Sequence, residues 1–321
     1  MFDGFANVWT PVLLARRVGR RPVALVVAGE ALVLFRDAGG RIGALLDRCP
    51  HRGARLSLGA LTSDGYLACP FHGWEFDPGG ANHHVPFNPD AKHEQLSATS
   101  VPVRQVGDLL WIYTAPVSLP PAEPVAPDAL VGERDRRVYL QRTWACHWTR
   151  AMENMLDSPH LPFVHRRTIG RPIARLMKRE SRMQLIWEEQ PWGGRQRMLL
   201  DGGGDLATLD FYRPNMMALD IPVPRKRFRV HALVIPVDRR TTRLIVVGTR
   251  DFARLGLLDP FFNLVNGIIA GEDRAVVESS APPEVPPARE EASVATDRVT
   301  LAFRKYYFDV LASSSASRVA G

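Results

Sequence analysis

Cysteine is scarce in this sequence, with three residues in 321. That scarcity excludes a disulfide framework and points to a reducing compartment. Long apolar runs are missing too, and no segment approaches the roughly 20 residues that a membrane span needs. The opening, MFDGFANVWTPVLLARRVGRRP, offers only PVLLA, with arginines after it rather than before it. A secretory signal has the opposite order, so the expectation is a soluble, cytoplasmic chain with no membrane partner. No glycine fingerprint for a flavin or nicotinamide opens a helix after a strand. The glycine run DGGGD, Asp201 to Asp205, precedes no helix start and reads as a hairpin turn. Nor are basic residues massed in one place. Lys and Arg number 41 against 34 Asp and Glu, a net charge of +7, yet the arginines are scattered and no nucleic-acid motif accompanies them. Nucleic acid is therefore not expected as a partner; an acidic protein partner is the better use of such a surface.

What is present suits a globular protein, at 45% hydrophobic and 23% charged residues, with length enough for two domains. From Pro22 to Pro116 short strand-like runs (PVALVV, ALVLFR, IGALL) alternate with turn residues, and VPVRQVGDLLWIY reads as a hairpin closed at Gly107-Asp108. A Pro-rich, charged stretch follows over 117–137 and reads as a linker. Beyond it VYLQRTWACHW and five later runs read as strands. TRAMENMLDSPHLPFVHRR and DPFFNLVNGIIAGEDRAVVESS have helical period, the first interrupted at Pro159 and Pro162. The fold class is α+β. The expected organisation is an all-β domain over 1–116, the linker, an α+β domain over 138–312, and a flexible tail over 313–321.

Cys49-x-His51 and, with seventeen residues between, Cys69-x-x-His72 put one cysteine and one histidine on each of two loops. A disulfide would leave both histidines unexplained. Zinc accepts both ligand types, but zinc fingers usually pair the cysteines together and the histidines together. Two thiolates on one iron and two imidazoles on the other suit a [2Fe–2S] centre of raised potential. Pro50 and Pro70 stiffen the loops, Gly53 and Gly73 permit sharp turns, and Phe71 and Trp74 are placed to shield such a cluster. The segment resembles the Rieske motif, C-x-H-x17-C-x2-H, in every ligand.

A second group lies at Asn154, Asp157, His160 and His165. Five residues put His165 about 140° round a regular helix from His160, and the two prolines could let both imidazoles converge. Two histidines without thiolates suit a non-haem Fe(II) site that takes one carboxylate more and keeps positions open for O2. Downstream of a Rieske segment, these residues resemble the N-x-x-D-x-x-H-x4-H pattern of the Rieske non-haem iron oxygenases. That resemblance implies a helix-grip-like catalytic domain with a curved antiparallel sheet around the substrate cavity. It also implies a third ligand from the late helix. Helical phase puts Val265, Ile269 and Val276 on one stripe with Glu272 near its centre, which favours Glu272 as the buried acid. The family pattern instead places the ligand at Asp273, which is the residue expected, with Glu272 in reserve. Glu278 reads as a solvated helix residue, and Cys146 and His147 as structural.

The resemblance further implies a terminal oxygenase that activates O2 at mononuclear Fe(II) and oxidises a small organic substrate. Hydroxylation or O- or N-demethylation is expected first; ring dihydroxylation is the alternative, and a non-catalytic electron carrier a lesser one. Asp157 would bridge a metal-ligand histidine to a cluster-ligand histidine of the neighbouring subunit in a cyclic homotrimer, and Asn154 would sit close to the iron. Without a nucleotide fingerprint of its own, such a chain needs a ferredoxin or an NAD(P)H-dependent reductase as electron donor. Arg48, Arg52 and Arg55 are candidates for the docking face. LDFYRPNMMALDIPV and VHALVIPV are expected to line the cavity, mixing Phe211, Met216 and Met217 with Asp210 and Arg213.

Overall fold

The strand runs of the first hundred residues fold as short antiparallel ladders because each is punctuated by residues that tolerate a left-handed backbone. Ala28 and Gly29, both at positive φ, form the two-residue turn between Val23–Val27 (β2) and Glu30–Arg36 (β3). In this computed structural model residues 1–132 and 134–313 are described. Contacts divide the chain into two compact units, Met1–Pro124 and Val125–Gly321, and the boundary falls inside the Pro-rich stretch. That stretch is not wholly irregular, since Asp128–Val131 makes a helical turn (α1). Of the tail expected at 313–321, all but Ser313 lies outside the described residues.

The first unit is all-β. Besides β2 and β3 it contains Trp9–Leu14 (β1), Ile42–Leu46 (β4), Ala60–Leu61 (β5), Leu67–Ala68 (β6), Glu75–Phe76 (β7), Asn82–His84 (β8), Val103–Val106 (β9) and Leu109–Tyr113 (β10). These form three sheets, ordered β1-β10-β9, β2-β3-β4 and β5-β6-β7-β8. The hairpin at Gly107-Asp108 forms, with Leu109 opposite Val106. Cys49 and Cys69 are buried in a core with Val33, Phe35, Leu45, Leu56, Leu67 and Phe76, so the loops after β4 and β6 are anchored at their first residue.

The second unit is organised by one seven-stranded antiparallel sheet. Its strands are Arg136–Trp144 (β11), Met183–Gln190 (β12), Gly193–Leu200 (β13), Asp205–Tyr212 (β14), Met216–Asp220 (β15), Phe228–Asp238 (β16) and Thr241–Arg250 (β17), ordered β11-β17-β16-β15-β14-β13-β12. The DGGGD run is the turn between β13 and β14. Its helices are α1, Trp148–Leu156 (α2), Leu161–Val164 (α3), Arg171–Leu176 (α4), Asp259–Val277 (α5) and Arg298–Tyr306 (α6). Both α2 and α5 pack on the sheet and on each other. Along α6 and just past its end Val299, Phe303 and Tyr307 recur at helical spacing and are all buried. Phe303 and Tyr307 meet the edge of Trp148 on α2, at ring distances of 5.7 and 5.6 Å.

Candidate metal centres

The two Cys/His loops share one backbone design. In the first, Cys49 N–H donates to Ala54 C=O at 2.8 Å and Gly53 N–H donates to Cys49 C=O at 2.9 Å. In the second, Cys69 N–H donates to Trp74 C=O at 2.8 Å and Gly73 N–H donates to Cys69 C=O at 3.0 Å. Gly53 and Gly73 both sit in the left-handed region, at φ 72° and 70°, which only glycine adopts without cost. CPHRGA and CPFHGW are thus a local repeat, differing chiefly in whether histidine comes two or three places after cysteine.

The turns bring the imidazoles of His51 and His72 together, with ring centres 4.7 Å apart. Trp74 stacks flat on His51 at 4.6 Å, while Phe71 lies against His72 at 4.0 Å and is itself exposed. Burial pushes the Cys49 thiol up to about 11, and burial, then the charges of His72 and Arg52, holds His51 below its ordinary value. A neutral imidazole is the ligand form, and His51 Nδ1 is buried with no hydrogen-bond partner.

The second centre is assembled from separate elements. Asp157 ends α2 with an extended backbone, His160 precedes α3, and His165 follows it. The short α3 has Pro162 in its first turn, where a missing N–H costs nothing. Over a hundred residues further on, α5 delivers Asp273. One ligand atom from each of His160, His165 and Asp273 lies within 4.8 Å of the others. Asp273 Oδ1 is 3.0 Å from His165 Nε2 and 3.5 Å from His160 Nε2, and it is buried without a hydrogen-bond partner. A buried, unsatisfied carboxylate oxygen facing two imidazoles is the donor set of a divalent cation.

Glu272 does not enter that set, and its role is different. Its Oε2 lies 2.8 Å from His165 Nδ1 and also accepts from Thr168 Oγ1 at 2.8 Å. A carboxylate only accepts, so the contact fixes the proton on Nδ1 and leaves Nε2 for a metal. Burial opposes a charge on His165, but Asp273 and Glu272 together outweigh it and raise its pKa. The same negative field would favour a bound cation.

Helical phase misjudged α5 for a physical reason. Its buried stripe is Asn266, Ala270, Asp273 and Val277, whereas Phe261, Leu264, Ile268 and Val276 are exposed. The inward face lines a cavity and carries Asn266 and Asp273 beside Ala270 and Ile269, while four large apolar side chains face outward, so apolar periodicity does not mark the inward face. Asp157 Oδ2 lies 3.4 Å from His160 Nδ1, with its side chain 32% exposed. Asn154, on α2, lines the same cavity as the three ligands and has its Nδ2 buried without a partner.

Of the two segments expected around the cavity, Leu209, Met217, Leu219, Val230 and Ala232 line it. Asp210 points to the other face of the sheet, where Arg195 Nε donates to it at 2.7 Å. Arg213 pairs with Glu189 and lies over the Tyr306 ring. Phe211 packs edge-on against Phe303. Glu278 is more than a solvated residue: it accepts from Ala145 N–H at 2.6 Å and from Arg274 Nε at 2.8 Å, tying the end of α5 to the end of β11. Cys146 is buried and accepts, through its carbonyl, from Thr242 Oγ1, and His147 caps α2 through Thr149 N–H. Sequence reasoning missed Asn266, whose sole signal is that it lies seven residues, two helical turns, before Asp273.

Known proteins bear on both centres. Residues 8–102 match the family model "Rieske [2Fe-2S] domain", and residues 144–312 match "Vanillate O-demethylase oxygenase C-terminal domain". The chain is 28% identical to methylxanthine N3-demethylase of Pseudomonas putida, over 98% of this chain and 92% of that one. It is 36% identical to the oxygenase component of dicamba O-demethylase of Stenotrophomonas maltophilia, but across 50% of this chain and 47% of the relative, so that match spans about half of each. Among solved structures, Pseudomonas putida CBB5 NdmB superposes with a TM-score of 0.80 at 25% identity, covering 98% and 92%. Dicamba monooxygenase bound to dicamba superposes with a TM-score of 0.77 at 23% identity, covering 97% and 98%.

Proposed function

The chain belongs to the Rieske non-haem iron oxygenases, and from that premise we propose that it is a terminal oxygenase that inserts one oxygen atom from O2 into a small organic substrate, most simply with loss of an O- or N-methyl group. The observation that carries this reading is the convergence of His160, His165 and Asp273 beside an apolar cavity. Relatives that are named demethylases favour monooxygenation over ring dihydroxylation.

In this reading Cys49, His51, Cys69 and His72 hold a [2Fe–2S] cluster, and His160, His165 and Asp273 hold Fe(II). When bound, the cluster supplies single electrons and the iron provides the site of O2 activation. The residues around them have definable tasks. Glu272 keeps His165 in the tautomer and orientation that present Nε2. Aliphatic walls exclude water, which strengthens each polar contact within. Asp157 reaches the second nitrogen of His160 and stays partly exposed, which supports its role as a bridge to a cluster histidine of a neighbouring copy. That role requires a cyclic homotrimer, and the exposed apolar stripe on α5 supports association of copies. The donor would be a ferredoxin or an NAD(P)H-dependent reductase; Arg48, Arg52 and Arg55 are exposed on the first loop and would meet its acidic face. Among the described residues no helix is long and apolar enough to cross a membrane.

Iron analysis with product analysis tests the reading. The expected result is three irons per chain, with formaldehyde released in step with substrate consumed. Asp157→Asn should keep all three irons and accept electrons at the cluster, yet give no product in a single turnover. Two irons per chain after anaerobic reconstitution with excess Fe(II), with no product from a panel of methyl ethers and N-methyl compounds, would make the chain an electron carrier.

A further inference from the structure

The cavity that faces the proposed iron ligands has an unusual wall. Apart from His160, His165 and Asp273, its polar lining residues are Asn154, Asp157 and Asn266; the rest are aliphatic or thioether side chains such as Leu209, Met217, Leu219 and Val230. Sheet register explains the uniformity. Leu209 pairs with Leu219, Leu219 with Val230, Met217 with Ala232, and Ala232 with Val246, so one face of β14 to β17 presents a continuous apolar floor. Asp210 of β14 occupies the opposite face, where it accepts from Arg195 of the neighbouring β13. Among the described residues that line the cavity there is no lysine, no arginine, no hydroxyl and no benzenoid or indole ring.

Asn266 is the exception on the far wall. It is 2% exposed, lines the cavity, and its Nδ2 has no hydrogen-bond partner. It stands on the same stripe of α5 as Asp273, two turns away, or about 10 Å along the helix axis. A Cβ at Gly248 on β17 would come within 3.2 Å of that Nδ2, so the glycine leaves the space that the amide occupies. A buried N–H donor with no protein acceptor is costly unless something else accepts from it.

We propose that this cavity selects an uncharged, mainly apolar ligand bearing one hydrogen-bond acceptor, a carbonyl or ether oxygen, which Asn266 Nδ2 receives at the end remote from the metal ligands. That the ligand is the substrate rests on the oxygenase reading above. The charge selection follows from desolvation. A carboxylate seated at Asn266 finds no cation there, and one hydrogen bond from a neutral amide does not replace the hydration that its charge loses. A neutral molecule loses little and gains one hydrogen bond. The cavity volume of about 60 Å³ restricts the ligand to a small molecule.

The test is calorimetric titration of the full chain, with both metal centres loaded, against matched ester and acid probes. Methyl 4-methoxybenzoate is paired with 4-methoxybenzoate, and methyl cyclohexanecarboxylate with cyclohexanecarboxylate. The expected result is that at least one ester binds, more than about 100-fold tighter than its acid. Asn266→Leu should weaken that ester about tenfold without lowering the melting temperature of the ligand-free protein, because the leucine removes an unsatisfied donor. Binding of no ester up to its solubility limit, an acid that binds as tightly as its ester, or an unchanged ester affinity in Asn266→Leu each overturns the proposal. Asn266→Asp checks the sign independently: it should weaken the ester further, where a purely steric role would leave it at the parent value. Formaldehyde from bound methyl 4-methoxybenzoate is read separately. An ester bound through Asn266 but never oxidised, in a panel where no other methyl compound is oxidised, removes the oxygenase reading and leaves the ligand class standing. An acid that is bound and demethylated does the reverse.

Discussion

The first proposed centre would take every ligand from the segment between Cys49 and His72, on two turns that repeat the same pair of backbone hydrogen bonds. The second takes two ligands from a broken helix and a third from α5, over a hundred residues downstream, and orients them through side chains: Glu272 on His165 and Asp157 beside His160. One region is positioned by main chain, the other by side chains. Backbone-held ligands tolerate changes in their neighbours and fail when a turn glycine changes. Side-chain-held ligands tolerate turn changes elsewhere and weaken when an orienting acid is neutralised.

Removing ligands gives the largest separation between the two. His160→Ala should lose the mononuclear iron, one of three per chain, and keep a coloured, reducible cluster. Cys69→Ala should bleach the protein and keep the remaining iron. Metal analysis with visible spectra measures both, and a bleached yet folded His160→Ala protein would show that the centres are not separate. Neutralising the orienting acid is a smaller change. Glu272→Gln should weaken Fe(II) binding about 10- to 100-fold by chelator competition, with the cluster spectrum unaltered; unchanged affinity would mean that His165 is positioned without Glu272. Gly53→Ala should do the converse. At φ 72° with no atom nearer than 3.9 Å to the added carbon, it should cost about 1–2 kcal/mol of stability and hasten cluster loss, with iron affinity at the second centre unaffected.

The smallest expected effect concerns the arginines of the first loop. Turnover at limiting donor should slow as salt rises, because screening shortens the Debye length from about 10 Å at 0.1 M to about 3 Å at 1 M. One turnover by chemically pre-reduced protein should not respond. A flat salt series, repeated with Arg52→Glu, would place the donor elsewhere.

The same contrast explains what could be read from the sequence. Cys49, His51, Cys69 and His72 were legible together because a backbone-built site keeps its ligands and its glycines at fixed spacing. The hairpin at Gly107-Asp108 was legible for the same reason. His160 and His165 were readable as a local pair, but the acid that completes them was not a local matter. Apolar periodicity favoured Glu272, since it assumes that a helix turns its apolar stripe inward, and α5 turns Asn266, Ala270 and Asp273 inward instead. Asn266 left only its seven-residue spacing to Asp273, because what marks it is that no protein acceptor reaches its buried Nδ2. That depends on which strands lie opposite, and their order is a property of the folded sheet.

The outward stripe of α5, with Phe261, Leu264, Ile268 and Val276 exposed, makes protein concentration a variable of state. If neighbouring copies cover it, association is part of what holds each copy folded, and the stabilisation grows logarithmically with the amount present. A hundredfold excess over the dissociation constant adds about 2.7 kcal/mol. Dilution then acts as a denaturant, and a melting midpoint is a quantity that belongs to the solution as much as to the chain.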